Sequence, residues 1–133
     1  MSPLTNQLMN VSVSINLACR KLNMPKICTF KDEAEAYAQI EEAGFHVFTS
    51  DYPALKNDFH WHDFDALIYI TKGELIVTEQ TSGESIICGP GTKLFAEAGV
   101  VHKEESTGYS AIFGLSVAPQ SLTQPVEKLP PSH

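Results

Sequence analysis

The sequence predicts an all-β barrel or sandwich with one α-helix on its N-terminal side. Residues 45–117 break into many short apolar stretches separated by turn signals at close, regular spacing, which is how small β-barrels and sandwiches read. A single segment, residues 30–43, has helical spacing instead, with Ala36, Tyr37, Ile40 and Ala43 apolar among Asp32, Glu33, Glu35, Glu41 and Glu42.

Residues 1–9 are polar and without pattern. Over residues 10–18, Val11, Val13, Ile15 and Leu17 alternate with Ser12, Ser14 and Asn16. This period of two predicts a strand at the edge or outside of a sheet. Thr29 is the expected N-cap of the helix, with Asp32 completing a capping-box analogue, and Gly44 stands where a left-handed C-cap belongs. Strands are expected at 45–50, 66–71, 74–80, 85–88, 93–96, 100–105 and 109–117. Turns are expected at Asp51-Tyr52-Pro53, Lys72-Gly73, Thr81-Ser82-Gly83-Glu84 and Gly89-Pro90-Gly91. The tail from Ala118 carries Pro119, Pro125, Pro130 and Pro131 and is expected to run extended over the surface. The chain divides into an extension with an edge strand (1–29), a helix (30–44), a barrel (45–117) and a Pro-rich tail (118–133), all within one domain.

With 133 residues, 43% hydrophobic and 19% charged, the chain is an ordinary globular domain able to bury a core. Its 16 acidic and 9 basic residues give a net charge of −7, which argues against nucleic acid and against an anionic membrane surface. No apolar run spans a bilayer and no signal peptide is expected. Three cysteines, Cys19, Cys28 and Cys88, form no C-x-x-C pair. They read as packed thiols in a reducing cytoplasm.

Histidines carry the chemistry. His60 and His62 stand at i and i+2, so on a strand they point to one face. His102 lies in a later strand that a barrel can bring opposite the first. Three converging imidazoles suit Fe, Zn, Ni or Cu, and also Mn if oxygen donors are added. Glu104, two residues after His102, faces the same way and is the candidate acid–base group or further ligand. Trp61 should face away from the ion and pack. His46 and His133 read as surface residues.

The segments His60–Gly73 and Gly91–His102 resemble the two motifs of the cupin superfamily, the first built on His-x-His and a closing Gly, the second on Gly, Pro-x-Gly and His. This chain supplies His60, His62 and Gly73, then Gly91, Gly99 and His102. It departs from the pattern at Ala54, Glu97 and Ser106, and Ala66 fills the slot of the family's metal-binding Glu. Asp65 or Glu104 could take over that role. The resemblance implies a cupin-type jelly-roll barrel over roughly residues 45–117 and a divalent metal on His60, His62 and His102, with iron first among the candidates. It also implies a small-molecule oxygenase-like reaction. A non-catalytic ligand-binding module, or an isomerase or lyase, stands as the alternative. Ile68, Ile70, Leu75 and Val77 should face inward, favouring a small apolar or aromatic ligand over a sugar phosphate. The run Ala66–Ile70 is apolar on both faces, so either the helix or a second subunit must cover its outside. A homodimer is expected, with Tyr69 outside the barrel at a subunit contact.

Overall fold

The computed structural model describes residues 27–130; the strand expected over residues 10–18 and His133 lie outside them. Strands β1 (Ile27–Thr29), β2 (His46–Lys56), β3 (Ala66–Gly73), β4 (Leu75–Glu79), β5 (Ser85–Cys88), β6 (Thr92–Ala96) and β7 (His102–Leu115) join helix α1 (Glu33–Ala43). The strands form one antiparallel sheet curled into a half-barrel, in the order β1-β6-β3-β7-β4-β5, with β2 also on β7.

β7 is the spine. It pairs along one edge with β2, from His46↔Leu115 to Lys56↔Glu105. Along the other edge it pairs first with β3 and then with β4. Both pairings are antiparallel, so β3 and β4 run in the same direction. Lys72-Gly73 is therefore a bend in one long strand and not the reversing turn that the sequence suggested. Gly73 makes the bend with φ 73°, and a side chain there would run into the backbone of Gly108 and Tyr109. Ser106 seals the corner: its hydroxyl donates to the Glu74 carbonyl and accepts from the Gly108 N–H.

Two other expected breaks are absent. β2 runs unbroken through Asp51-Tyr52-Pro53, and the strands expected at 100–105 and 109–117 are one strand. Pro53 is tolerated because β2 pairs with β7 alone among the described residues, leaving one edge where a missing N–H breaks no ladder bond.

The alternation of β3 sorts its side chains into two cores. Ala66, Ile68 and Ile70 face the barrel interior with Leu75, Val77 and Leu94. Leu67 and Tyr69 face outward with Phe95 and Ile112, beneath Ala36 and Ile40 of α1. The helix thus covers the outer face of this strand, and Tyr69, expected at a subunit contact, is fully buried under it. α1 approaches closely because Gly114 has no side chain: a Cβ there would lie 2.8 Å from Ile40. The N-cap is Asp32, whose carboxylate accepts from the Glu35 N–H at 2.9 Å; Thr29 instead ends β1, paired with Thr92. Gly44 caps the C-terminus in the left-handed conformation as expected. The tail begins with a 3-10 turn at Pro119–Ser121 and then returns across the segment that carries His60 and His62.

Cys88 is a buried free thiol, pushed up to about 11 by burial. Cys28 is disulfide-bonded, which corrects the reading of three packed thiols. Among the described residues no helix is long and apolar enough to cross a membrane.

One charge lies under the helix. Lys93 is 1% exposed, and its Nζ donates to Gln39 Oε1 at 3.0 Å, the atom that also accepts from the Tyr69 hydroxyl at 2.8 Å. Among the described residues no carboxylate bonds it directly, and burial lowers its pKa from 10.5 to about 8, with Glu35 opposing. The unfolded chain therefore holds this proton more tightly than the folded one between those values. Lys93's share of stability rises as pH climbs through that window. Relative to Lys93→Met, the wild-type protein should gain about 2 kcal/mol between pH 7 and 9.5, measured by urea denaturation of both proteins. Parallel pH profiles would remove the buried cation from the account.

Candidate metal centre

The pairing of β2 with β7 resumes beyond Lys56. His60 and His102 exchange both backbone hydrogen bonds, each at 2.8 Å. Residues paired in this way in an antiparallel ladder project side chains to the same face. His62 lies two residues on and shares that face, its carbonyl accepting from Gly99 N–H at 2.9 Å. Gly99 adopts φ 85°, so this glycine of the second motif is used for its left-handed turn. The three ring centroids stand 4.5, 4.9 and 5.3 Å apart.

Every one of these rings is oriented by a backbone carbonyl. His60 Nδ1–H donates to Asp58 O at 2.7 Å, His62 Nδ1–H to Val126 O at 2.8 Å, and His102 Nδ1–H to Val100 O at 3.0 Å. A carbonyl can only accept, so in the neutral ring the proton sits on Nδ1 and the Nε2 lone pair is free. One nitrogen from each ring lies within 4.8 Å of the others. His60 Nε2 is buried and has no hydrogen-bond partner. Burial, aided by the neighbouring imidazoles and opposed by the Val126 bond, holds His62 below the ordinary histidine range, which keeps it neutral. A buried, unpartnered lone pair among two others is costly unless something binds it. A divalent cation fits this donor set: neutral imidazoles with their second nitrogens already engaged form a group that can hold a metal ion.

Glu104 faces the same space, its carboxylate 3.7 Å from His60 Nε2. Asn57 holds it there: the Asn57 amide nitrogen donates to Glu104 Oε1 at 3.1 Å, and Asn57 Oδ1 accepts from the Glu104 N–H at 2.7 Å. The same amide nitrogen reaches Glu127 Oε2 at 3.4 Å, and His60, Glu104 and Glu127 also bring donor atoms within 4.8 Å of one another. Asp65 is directed elsewhere, its carboxylate accepting from Ala98 N–H at 2.7 Å. Of the two expected replacements for the missing family Glu, then, Glu104 is beside the histidines and Asp65 is not. Ala66 lines the cavity beside them. His46 is exposed, and Trp61 points away from the group toward the tail.

The cavity next to the histidines has a volume of about 630 Å³. Tyr52, Phe64, Tyr109 and Phe113 form much of its wall, with Glu104 and Glu127 at one side. Tyr52 stacks on Tyr109 at 5.1 Å between ring centroids and meets Phe113 edge-on at 6.0 Å. Sequence reading missed this aromatic wall by taking Tyr52 into a turn, although the period of two from Phe48 through Ser50 to Tyr52 was the signal. Asn57, Val126 and Glu127 had no sequence signal, since their roles depend on where the tail returns.

No protein-family model matches the chain, and no curated protein matches it in sequence. Solved structures do. A DUF861 family protein from Thermotoga maritima superposes with a TM-score of 0.52 at 14% identity, over 67% of this chain and 96% of that one. A DUF861 protein of unknown function from Pseudomonas syringae gives 0.49 at 17% identity, over 52% of this chain and 29% of that one, so the match spans under a third of its length. An RmlC-like cupin from Shewanella frigidimarina gives 0.46 at 19% identity, over 57% of this chain and 70% of that one. The superposition on the Thermotoga maritima protein shows a shared fold, a curled antiparallel β-barrel with one helix, in line with the barrel that the cupin resemblance implies. In this barrel the position beside the histidines that Ala66 occupies is small and open to the cavity. A carboxylate introduced by Ala66→Glu should therefore tighten Zn²⁺ binding by about ten-fold or more, read by competition with a chromophoric chelator. Unchanged affinity would show that the Ala66 side chain lies out of reach of the histidines.

Proposed function

We propose that this cupin holds one divalent ion, iron first and zinc, nickel, manganese or copper as alternatives, on His60, His62 and His102. We further propose that it carries out an oxygenase-like reaction on a small molecule seated in the adjoining cavity. The observation that supports this reading best is the carbonyl lock on all three Nδ1–H groups, which leaves three Nε2 atoms to face a common space. When bound, such an ion supplies Lewis-acid polarisation and open coordination positions. Neutral imidazole ligands would leave its positive charge to be offset by the neighbouring Glu104 and Glu127 carboxylates.

The chain's own residues do the rest. The aromatic wall shields the cavity from water and fits an apolar or aromatic body better than a sugar phosphate. The nearest cation in its lining, Lys56, belongs to the exposed end of β2. Glu104, fixed by two bonds to Asn57, is placed to take a proton from a ligand in the cavity and to return it.

Elemental analysis of protein purified without an affinity tag should find one ion per chain. His60→Ala, His62→Ala and His102→Ala should each lose it, whereas His46→Ala should keep it. Glu104→Gln should retain the ion while lowering oxygen uptake with a turned-over substrate by on the order of a hundred-fold. Metal-free protein with its fold intact would overturn the reading. Stoichiometric metal with ligand binding but no turnover would make this a binding module.

A further inference from the structure

Two of the three imidazoles are oriented by carbonyls only two residues before them in the chain. His62 is different: its acceptor, Val126, is 64 residues downstream in the C-terminal tail. Whatever holds residues 123–129 in place therefore decides whether His62 presents Nε2 to the other two rings.

The tail is fastened chiefly at Trp61, the residue between the two histidines. Trp61 N–H donates to Lys128 O at 3.0 Å and Lys128 N–H to Trp61 O at 2.9 Å. The indole Nε1–H adds a third bond, to Leu129 O at 2.9 Å. Lys128 Nζ ties the strap to itself through Thr123 Oγ1 and Pro125 O, both at 2.9 Å, and pairs with the Asp63 carboxylate at 3.9 Å, to which Thr123 also donates at 2.7 Å. Apolar burial contributes little here: Leu122 and Val126 are only partly buried, and Leu129 is 85% exposed. A strap held by few bonds and little apolar contact opens locally far below the free energy of global unfolding.

We propose that Trp61 is a positioning residue of the metal centre: by pinning the strap it holds the Val126 carbonyl against His62 and so fixes the third imidazole. With the strap in place His62 carries its proton on Nδ1 and its ring is fixed. With the strap lifted, the Nδ1–H loses its acceptor, the ring is free to change tautomer and rotamer, and the Glu127 carboxylate leaves its place beside His60. Opening of the tail is then the step that admits and releases the ion. This rests on the metal-centre reading for its kinetic consequence but not for its structural one.

The test uses the full chain and Trp61→Phe, which keeps an aromatic ring but cannot donate to Leu129 O. Imidazole ¹⁵N shifts of the metal-free proteins, recorded at a pH where the rings are neutral, should show His62 as one Nδ1–H tautomer in the wild type. They should show a tautomer mixture in Trp61→Phe, with His60 and His102 unchanged. Zn²⁺ release into excess chelator should be about ten-fold faster from Trp61→Phe, and Lys128→Ala, which loosens the strap without touching Trp61, should shift both readouts in the same direction. An unchanged His62 tautomer in both variants would overturn the proposal. So would tautomer exchange without faster Zn²⁺ release. A wild-type chain that binds no Zn²⁺ would strike the metal-centre reading, and the ¹⁵N shifts would still decide the orienting role of Trp61.

Discussion

The pairing of one long strand on both its edges sets everything else. β7 carries β2 along Glu105–Leu115 on one side and the bent β3–β4 strand on the other. The bend needs a point where two backbones nearly touch, which Gly73 and Gly108 provide. A side chain at Gly73 would force the strands apart at the corner. A strained or shifted corner is worth about 1–3 kcal/mol, a sizeable part of the margin by which small domains are stable. The same ladder, continued past a short excursion at residues 57–59, sets His60 against His102. The histidines therefore meet through backbone register, before any metal is involved.

That arrangement governs the electrostatics. Backbone carbonyls take the Nδ1 protons, burial keeps His62 neutral, and the remaining lone pairs point inward. Negative charge is kept to one side, where Asn57 bonds both Glu104 and Glu127. One amide group bridging two carboxylates holds them near His60 while supplying donors to each, which offsets part of their mutual repulsion.

Much of this was legible in the sequence, and the remainder was hidden for identifiable reasons. The alternation in β3 and the His-x-His spacing depend on the two-residue period of a strand, which sequence displays directly. Helix α1 was visible from its spacing and from Gly44, but its first turn was misplaced because Thr29 and Asp32 are both good caps and the pairing of β1 with β6 claims Thr29. The bend at Gly73 looked like a turn because glycine with positive φ serves both, and only the partner strand decides which. Pro53 looked like a strand end because the freedom of an edge strand to carry proline is a property of the sheet. The roles of Asn57 and Val126 arise from contacts 47 and 64 residues away, and no local pattern encodes those.

The unequal support of the three histidines follows from the same topology. His60 and His102 face each other across two backbone hydrogen bonds, in a bridge that continues the β2–β7 pairing, so the backbone beneath both rings is held by the sheet. His62 lies just beyond the ladder, where the chain leaves β7 and its hydrogen bonds go to Gly99 and the returning tail. A cavity of about 630 Å³ beside a fully sheet-bound trio would have three equally rigid donors. Here two are held by the sheet and the third by a strap, so rigidity falls off toward the side on which Val126 and Glu127 line the cavity. The Trp61-bound tail is the element on that side whose opening would leave the β7 ladder intact.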